Sequence, residues 1–159
     1  EPGENGWTTE PLDLPANGQV GLAFANKDSD TVFINYEGYL TPDSLMSYSA
    51  STGELKTLKS LTGKFNTDDL VVEQKEATSK DGTKIPMIIT YKKGTELNGK
   101  NPTMLYGYGG FNISLTPSFS IANAVWLENG GVYAVANLRG GGEYGKKWHN
   151  AGTQMQKQK

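Results

Sequence analysis

A length of 159 residues is enough for one ordinary domain or for parts of two, and 36% hydrophobic residues can supply a core. The formal net charge of −2 argues against nucleic acid as a partner, and the absence of cysteine excludes disulfides and a thiol nucleophile. No apolar run approaches the length of a membrane span, and the N-terminus does not resemble a signal peptide, so no membrane partner is expected.

Up to about residue 62, short β-prone runs alternate with polar turns. The runs cover residues 20–25, 31–36, 45–48 and 55–58, a spacing that is typical of a sandwich, barrel or propeller. A single four-stranded unit of this kind cannot bury its own faces, so we expect it to belong to a larger array. The chain contains no second copy of the unit. Residues 62–69 then predict a linker.

After the linker, the pattern favours longer elements. Runs at 70–75 and 85–91 flank Asp81-Gly82, a dipeptide that favours a β-hairpin. A short apolar stretch at 102–105 predicts a buried strand.

A helix and a second buried strand come next. Apolar residues recur at helical spacing within residues 118–129, where two glycines end the segment, and they predict a helix. The residues that recur are Phe119, Ala122, Val125 and Trp126. A second buried strand at 132–138 and the opening of another helix follow. Strand, helix, strand, loop and helix in this order predict a largely parallel, doubly wound sheet.

Residues 106–112 read YGYGGFN and form what we call the first glycine loop, directly after the predicted strand at 102–105. A glycine-rich loop in this position carries the donors that hold a developing oxyanion in α/β-hydrolases. Glycine allows close backbone approach to a ligand, and a tyrosine hydroxyl is a neutral donor with an ordinary pKa of about 10. The alternative is a structural turn whose tyrosines only pack, and the residue pattern leaves both interpretations open.

Residues 139–145 read RGGGEYG and form the second glycine loop. Its glycines satisfy the pattern Gly-x-Gly-x-x-Gly of dinucleotide-binding loops, but that fingerprint also needs an acidic residue about 20 positions later, beyond the end of this sequence. Arg139 and Glu143 flank the glycines in a way that favours a pair between them. We therefore expect an ordered structural loop, and a nucleotide-dependent oxidoreductase built on Gly140–Gly145 stays open as an alternative.

The residues of a complete catalytic centre are missing from the sequence. No Gly-x-Ser-x-Gly nucleophile elbow occurs, and His149 is the only histidine. A single histidine beside Trp148, without metal-ligand partners, is more often structural than catalytic, and no metal site or cofactor is predicted. A propeller-type binding module with a purely structural hydrolase-like half is a further alternative.

Three stretches closely resemble the prolyl oligopeptidase family. They are YGYGGFNIS at 106–114, AVANLRGGGEYG at 134–145 with the following Trp148 and His149, and SKDGTKIPM at 79–87. The resemblance implies the last part of a β-propeller at residues 1–65, then the N-terminal portion of the doubly wound sheet of an α/β-hydrolase at 66–159. It also implies a serine endopeptidase that cleaves short proline-containing peptides after proline.

By the same resemblance, Tyr108 aligns with the family's oxyanion-hole tyrosine, and Phe111 aligns with an aromatic residue that lines the substrate pocket. The triad serine, aspartate and histidine are not in this sequence, and His149 does not align with the triad histidine. The ends of the sequence look like those of an excerpt that stops before the nucleophile elbow. We therefore expect the chain to be inactive alone and to act with the remaining polypeptide of the same enzyme.

Specificity and compartment stay open within the resemblance. The related oligopeptidase B enzymes share the architecture but cut after basic residues, which is the alternative specificity. The family includes cytosolic and periplasmic members, so either compartment fits.

Overall fold

The computed structural model describes residues 2–3, 6–7 and 9–158, and its main elements are two four-stranded sheets. The first sheet contains β3 (Gly18–Ala25), β4 (Thr31–Gly38), β5 (Ser44–Ser49) and β6 (Leu55–Ser60). The second contains β7 (Leu70–Thr78), β8 (Lys84–Lys92), β9 (Thr103–Gly107) and β10 (Val132–Ala136). A small ladder of β1 (Pro2–Gly3) and β2 (Gly6–Trp7), the helices α1 (Ile121–Glu128) and α2 (Gly145–Asn150), and a 3₁₀ helix (Gln154–Gln158) complete the fold.

The first sheet confirms the four predicted short strands. Its order is β3-β4-β5-β6, and each neighbouring pair is antiparallel. Ile34, Tyr36 and Met46 form its buried core. The Tyr36 hydroxyl donates to the Pro15 carbonyl at 3.0 Å, which satisfies the polar end of the buried ring.

One strand of this sheet keeps its apolar side chains in solvent. Val20, Leu22 and Phe24 of β3 are all more than half exposed, with Leu22 at 71%. The four strands therefore leave part of their apolar surface in solvent, as expected for one unit of a larger array.

The second sheet begins with the predicted hairpin. β7 and β8 are antiparallel from Leu70↔Lys92 to Thr78↔Lys84, and Gly82 takes the positive φ of 84° that the tight turn requires. β9 and β10 are parallel, and α1 provides the crossover between them.

The prediction of a largely parallel sheet is wrong for the described strands. The order is β7-β8-β10-β9, and β8 pairs antiparallel with both of its neighbours. The tight Asp81-Gly82 turn makes β8 antiparallel to β7, and a second chain reversal between β8 and β9 makes β8 antiparallel to the parallel pair. The sheet is therefore mixed.

The prediction that the strand at 102–105 is buried is also wrong. Every residue of β9 is exposed, including Leu105 at 67%. β9 forms one edge of this sheet and pairs only with β10, while α1 packs mainly on β10 and β8. β10, which has a strand on each side, is buried along most of its length, as predicted.

Helix α1 confirms the predicted helix with slightly shorter bounds. The Ser120 side chain caps its N-terminus by accepting from the Asn123 amide, and Gly130 and Gly131 follow its C-terminal end. The residues that α1 buries are Ala124 and Leu127, whereas Val125 is 52% exposed. The apolar spacing therefore predicted the helix correctly but not which of its residues are buried.

Aromatic and polar contacts join the two sheets. Glu37 on β4 accepts a hydrogen bond from the Phe119 amide at 2.7 Å, and the Phe65 and Phe119 rings stack with centroids 5.3 Å apart. Burial, together with the nearby Tyr133, raises the pKa of Tyr39 to about 12. Within the segment between the sheets, residues 61–69, Phe65 and Thr67 are partly buried and the other residues are exposed. None of the helices in the described ranges has the length and apolar character that crossing a membrane requires.

Candidate functional site

The first glycine loop leaves the end of β9 and folds into a compact turn. Gly109, Phe111 and Asn112 all have positive φ, at 60°, 51° and 57°, and the Ile113 amide closes the turn by donating to the Gly110 carbonyl at 3.0 Å. Glycine and asparagine tolerate this region of backbone space, but a phenylalanine there is strained by about 1 kcal/mol or more. Strain of this kind persists only where the surroundings enforce it.

The turn presents two aromatic side chains on the surface. Tyr108 is 43% exposed and Phe111 is 85% exposed, and their ring centroids lie 6.5 Å apart. An accessible phenol beside an accessible apolar ring can offer a hydrogen-bond donor and a flat contact surface to the same ligand. Of the predicted site residues, these are the two that the fold brings together.

The second glycine loop packs against the first one, backbone to backbone. The Asn112 amide donates to the Gly140 carbonyl at 3.1 Å, and the Gly142 amide donates to the Ile113 carbonyl at 3.3 Å. A Cβ on Gly140 would overlap the Gly109 carbonyl oxygen. The glycines of the second loop are therefore explained by the close approach of protein backbone, and the ordered structural loop predicted from the sequence matches what is found.

The prediction that Arg139 pairs with Glu143 is wrong. Arg139 donates instead to the Asp81 carboxylate at 2.5 Å, to Ser79 Oγ at 2.9 Å and to Thr83 Oγ1 at 3.2 Å. These three partners belong to the β7–β8 turn, 56–60 residues earlier in the chain. The hydrogen bond from Arg139 is the largest cause that holds the pKa of the Asp81 carboxyl well below its usual range.

Glu143 anchors the segment that follows the first glycine loop. Its Oε1 accepts from the Leu115 amide at 3.0 Å and from the Asn137 side chain at 3.4 Å. Asn137 also donates to the Leu115 carbonyl at 3.3 Å. Glu143 thus binds the backbone amide of Leu115, and Asn137 binds its carbonyl. The ion pair with Arg139 that the charges suggested does not form.

His149 has a structural position beneath the loops. Its Nδ1 lies 2.7 Å from the Gly140 carbonyl oxygen, so the ring nitrogen carries the proton and donates. Trp148 contributes through its backbone carbonyl, which accepts from the Gly140 amide at 3.1 Å. The histidine thus holds the second glycine loop, in line with the structural role expected from the sequence.

The arrangement offers a hydrogen-bond donor and an apolar face, and it lacks the serine of a nucleophile elbow. Tyr108 can donate a hydrogen bond and Phe111 can offer an apolar face, while no serine of an elbow motif accompanies them. Within the described ranges, no three acidic or histidine side chains cluster in a way that could hold a metal ion.

Sequence reasoning missed Asp81, Asn137 and Lys157 as supports of the site. The Lys157 ammonium donates to the Gly109 carbonyl and, at 3.0 Å, to the Arg139 carbonyl, so it contacts both glycine loops. No local pattern marks these three residues, because each acts on a segment far from it in the chain.

Comparison with known proteins finds close relatives over nearly the whole chain. A model described as the prolyl oligopeptidase family matches residues 117–159. A prolyl endopeptidase of Elizabethkingia meningoseptica is 51% identical over 154 residues, which cover 97% of this chain and 22% of that protein. The chain therefore spans about a fifth of the length of such relatives.

Solved structures agree with the sequence comparison. A structure from a mechanistic study of two prolyl endopeptidases superposes with a TM-score of 0.84 at 40% identity, covering 98% of this chain and 23% of the other. Oligopeptidase B from Trypanosoma brucei, with covalently bound antipain, gives a TM-score of 0.76 at 30% identity, covering 90% of this chain and 21% of the other. Sequence and fold together establish that this chain belongs to the prolyl oligopeptidase family.

Proposed function

We propose that this chain supplies the oxyanion-binding loop of a serine endopeptidase that cleaves short peptides after proline. The observation that carries the proposal is the joint presentation of Tyr108 and Phe111 by a turn that a second loop braces from below. The triad lies on further polypeptide of the same enzyme, and the chain alone is inactive. The family's peptidases supply the reaction class, and the loop geometry supplies the role of this segment.

Tyr108 is suited to stabilise negative charge that develops on a carbonyl oxygen. A phenol donates a hydrogen bond without carrying a charge of its own, and a donor held in place before the reaction costs no reorganisation. The positive φ angles and the contacts with residues 140–142 hold the backbone that bears this ring. The tetrahedral intermediate is the species that would accept the bond, so the donor acts mainly on kcat.

Phe111 is suited to line the pocket for a proline side chain. Its ring is 85% exposed, and its strained φ of 51° is held by backbone hydrogen bonds of the neighbouring residues rather than by packing of the ring. A flat apolar ring against the proline ring removes water from both surfaces without needing a charged partner. Strain retained at an exposed aromatic residue is what a binding role explains and a packing role does not.

The two sheets suggest how the chain divides between domains. We assign residues 1–65 to the end of a β-propeller and 66–159 to the start of the α/β-hydrolase domain. In support, β3–β6 and β7–β10 form separate sheets, and residues 61–69 contain no strand.

Oligopeptidase B specificity is the second candidate, because such an enzyme also superposes on this chain. It requires acidic groups that receive a basic side chain, and Phe111 offers no charge. The oxidoreductase alternative is disfavoured on different grounds. The second glycine loop faces the backbone of residues 109–114, so its glycines do not form an open cradle for a pyrophosphate.

The test uses a full-length peptidase that carries this sequence, treated with a fluorophosphonate and read by intact-mass spectrometry. We expect one label on a serine outside this chain, and faster cleavage of a peptide with proline at the cut site than of the same peptide with arginine. Preference for arginine would favour the oligopeptidase B specificity, and absence of any label would refute a serine peptidase. The isolated chain is the control, and cooperative unfolding with peptidase activity there would refute the proposed division of the site.

A further inference from the structure

The Gly109 carbonyl lies in the part of the first glycine loop with the greatest backbone freedom. Gly109 and Gly110 follow Tyr108 directly, and two consecutive glycines have the greatest backbone freedom that a chain offers. Within the described residues, the bond that the Gly109 carbonyl accepts comes from a side chain, the Lys157 ammonium, and not from another backbone amide. The Gly109–Gly110 peptide plane, one residue beyond Tyr108, is therefore held by one lysine.

After α2 the chain passes close to the backbone of the second glycine loop and brings Lys157 to the first one. Gly152 lies against the backbone of Arg139, where any Cβ would overlap it, and Gln154 adopts a positive φ of 48° at the start of the 3₁₀ helix. The Gln156 amide then donates to the Thr153 carbonyl at 3.0 Å and tightens the turn. This geometry returns Lys157 to the loops from 48 residues beyond Gly109.

The Lys157 ammonium donates its hydrogen bonds to backbone carbonyl oxygens. It donates to Gly109 and to Arg139, one in each glycine loop, and no carboxylate of the described residues lies within ion-pair distance of it. Bonds from a charged donor are stronger than neutral ones, so a single ammonium can fix two backbone segments relative to each other. Lys157 is exposed as a residue, but its ammonium end lies against the backbone of both loops.

We propose that Lys157 is a positioning residue for the peptidase reaction. Its ammonium fixes the Gly109 carbonyl, and through this peptide plane it sets the direction in which Tyr108 presents its hydroxyl. The inference rests on the proposed function of Tyr108. Lys157 itself does not touch the substrate.

The variants are made in the full-length peptidase that carries this sequence. Lys157→Met keeps the apolar stem and removes the ammonium, and we expect kcat to fall by roughly 10- to 100-fold, the range for loss of a charged hydrogen bond, with KM within about 2-fold. Lys157→Arg keeps the donors and should recover part of the loss. Lys146→Met is the matched control, because Lys146 is exposed on α2 and its side chain forms no hydrogen bond or ion pair with the described residues.

A double-mutant cycle with Tyr108→Phe separates positioning from general damage. If Lys157 acts through the Tyr108 hydroxyl, Lys157→Met should change kcat by less than about 3-fold in the Tyr108→Phe enzyme. The same fold-loss in both backgrounds, or no loss in the wild type, would overturn the inference while leaving the proposed function standing. If Tyr108→Phe itself has wild-type kcat, the proposed function and the inference both fail.

A second variant and a second measurement guard against misfolding. Lys157→Gln keeps a neutral donor and should give an intermediate kcat, with a melting temperature close to that of the wild type. A peptide aldehyde ending in proline forms a tetrahedral adduct, so its affinity should fall in parallel with kcat/KM across the series. If the aldehyde affinity stays constant while kcat falls, Lys157 does not act on the oxyanion donor.

Discussion

Gly142 lies directly against the backbone of Asn112. A Cβ on Gly142 would stand 2.5 Å from the Asn112 carbonyl oxygen and 2.9 Å from Ser114 Oγ, and the contact with Asn112 can be relieved only by moving backbone. The Gly142 amide meanwhile donates to the Ile113 carbonyl at 3.3 Å. The glycine is required by this close approach, and the shape of the first loop depends on the second.

Replacing Gly142 by alanine should therefore displace the first glycine loop. We expect Gly142→Ala to lower the free energy of unfolding by about 1–3 kcal/mol, the usual cost of overpacking, and to lower kcat by roughly 10-fold as Tyr108 moves. Thermal unfolding and steady-state kinetics of the full-length peptidase measure both effects. Gly21→Ala is the control, since a Cβ on Gly21 would meet nothing within 4 Å and its φ is not positive. Wild-type kcat in Gly142→Ala would contradict the bracing role.

Removing the Tyr108 hydroxyl should affect the chemical step rather than binding. Loss of one oxyanion donor costs about 2.7–4 kcal/mol, so Tyr108→Phe should lower kcat by roughly 10²- to 10³-fold with little change in KM. Tyr106→Phe is the matched control, because Tyr106 is the other exposed tyrosine of the same motif, at 48%. An unchanged kcat in Tyr108→Phe, or an equal loss in both variants, would remove Tyr108 from the mechanism.

The elements of this chain could be predicted where local pattern decides them. The hairpin follows from Asp81-Gly82, and helix α1 follows from its apolar spacing and the glycines behind it. The exposure of β9 could not be predicted, because an apolar run gives the same signal whether or not another segment covers it.

The partners that the side chains of the site find far along the chain could not be predicted from local sequence pattern either. Arg139 and Glu143 are close in the chain and opposite in charge, which favoured a pair between them. The hairpin instead carries Asp81 to Arg139 across 58 residues, and Glu143 turns to the Leu115 amide. Which of several possible partners a charge meets depends on how the elements pack, and the sequence pattern does not encode that directly.

Truncating Phe111 should weaken the binding of proline peptides without destabilising the fold. We expect Phe111→Ala to raise KM for a peptide with proline at the cut site by roughly 10-fold, since one aromatic contact is worth about 1 kcal/mol or more. The free energy of unfolding should change by less than about 0.5 kcal/mol, because the ring is 85% exposed. The same peptide with alanine at the cut site is the internal comparison. Equal losses on both peptides would indicate that Phe111 has a packing role instead.

Asp81 and Arg139 should make the stability of the enzyme depend on pH in the acid range. Hydrogen bonds from Arg139, and then from the Thr83 backbone, lower the pKa of the Asp81 carboxyl. A carboxyl with a lowered pKa in the folded state contributes stability that is fully present above its unfolded pKa, about 3.9, and is lost as the pH falls toward the folded value. The loss in melting temperature caused by Asp81→Asn should therefore be greatest near neutral pH and should shrink below about pH 4.

Melting temperatures of the wild type and of Asp81→Asn between neutral pH and the acid limit of the folded enzyme measure this dependence. Asp28→Asn is the matched control: its carboxylate pairs at 3.2 Å with Lys27 on an open surface, and such pairs contribute little. We expect that variant to differ little from the wild type at any pH. Protonation of Asp81 removes its negative charge but leaves the shape of the side chain unchanged. If Asp81→Asn lowers the melting temperature equally at neutral and at acid pH, the contact with Arg139 therefore stabilises the turn through shape rather than charge.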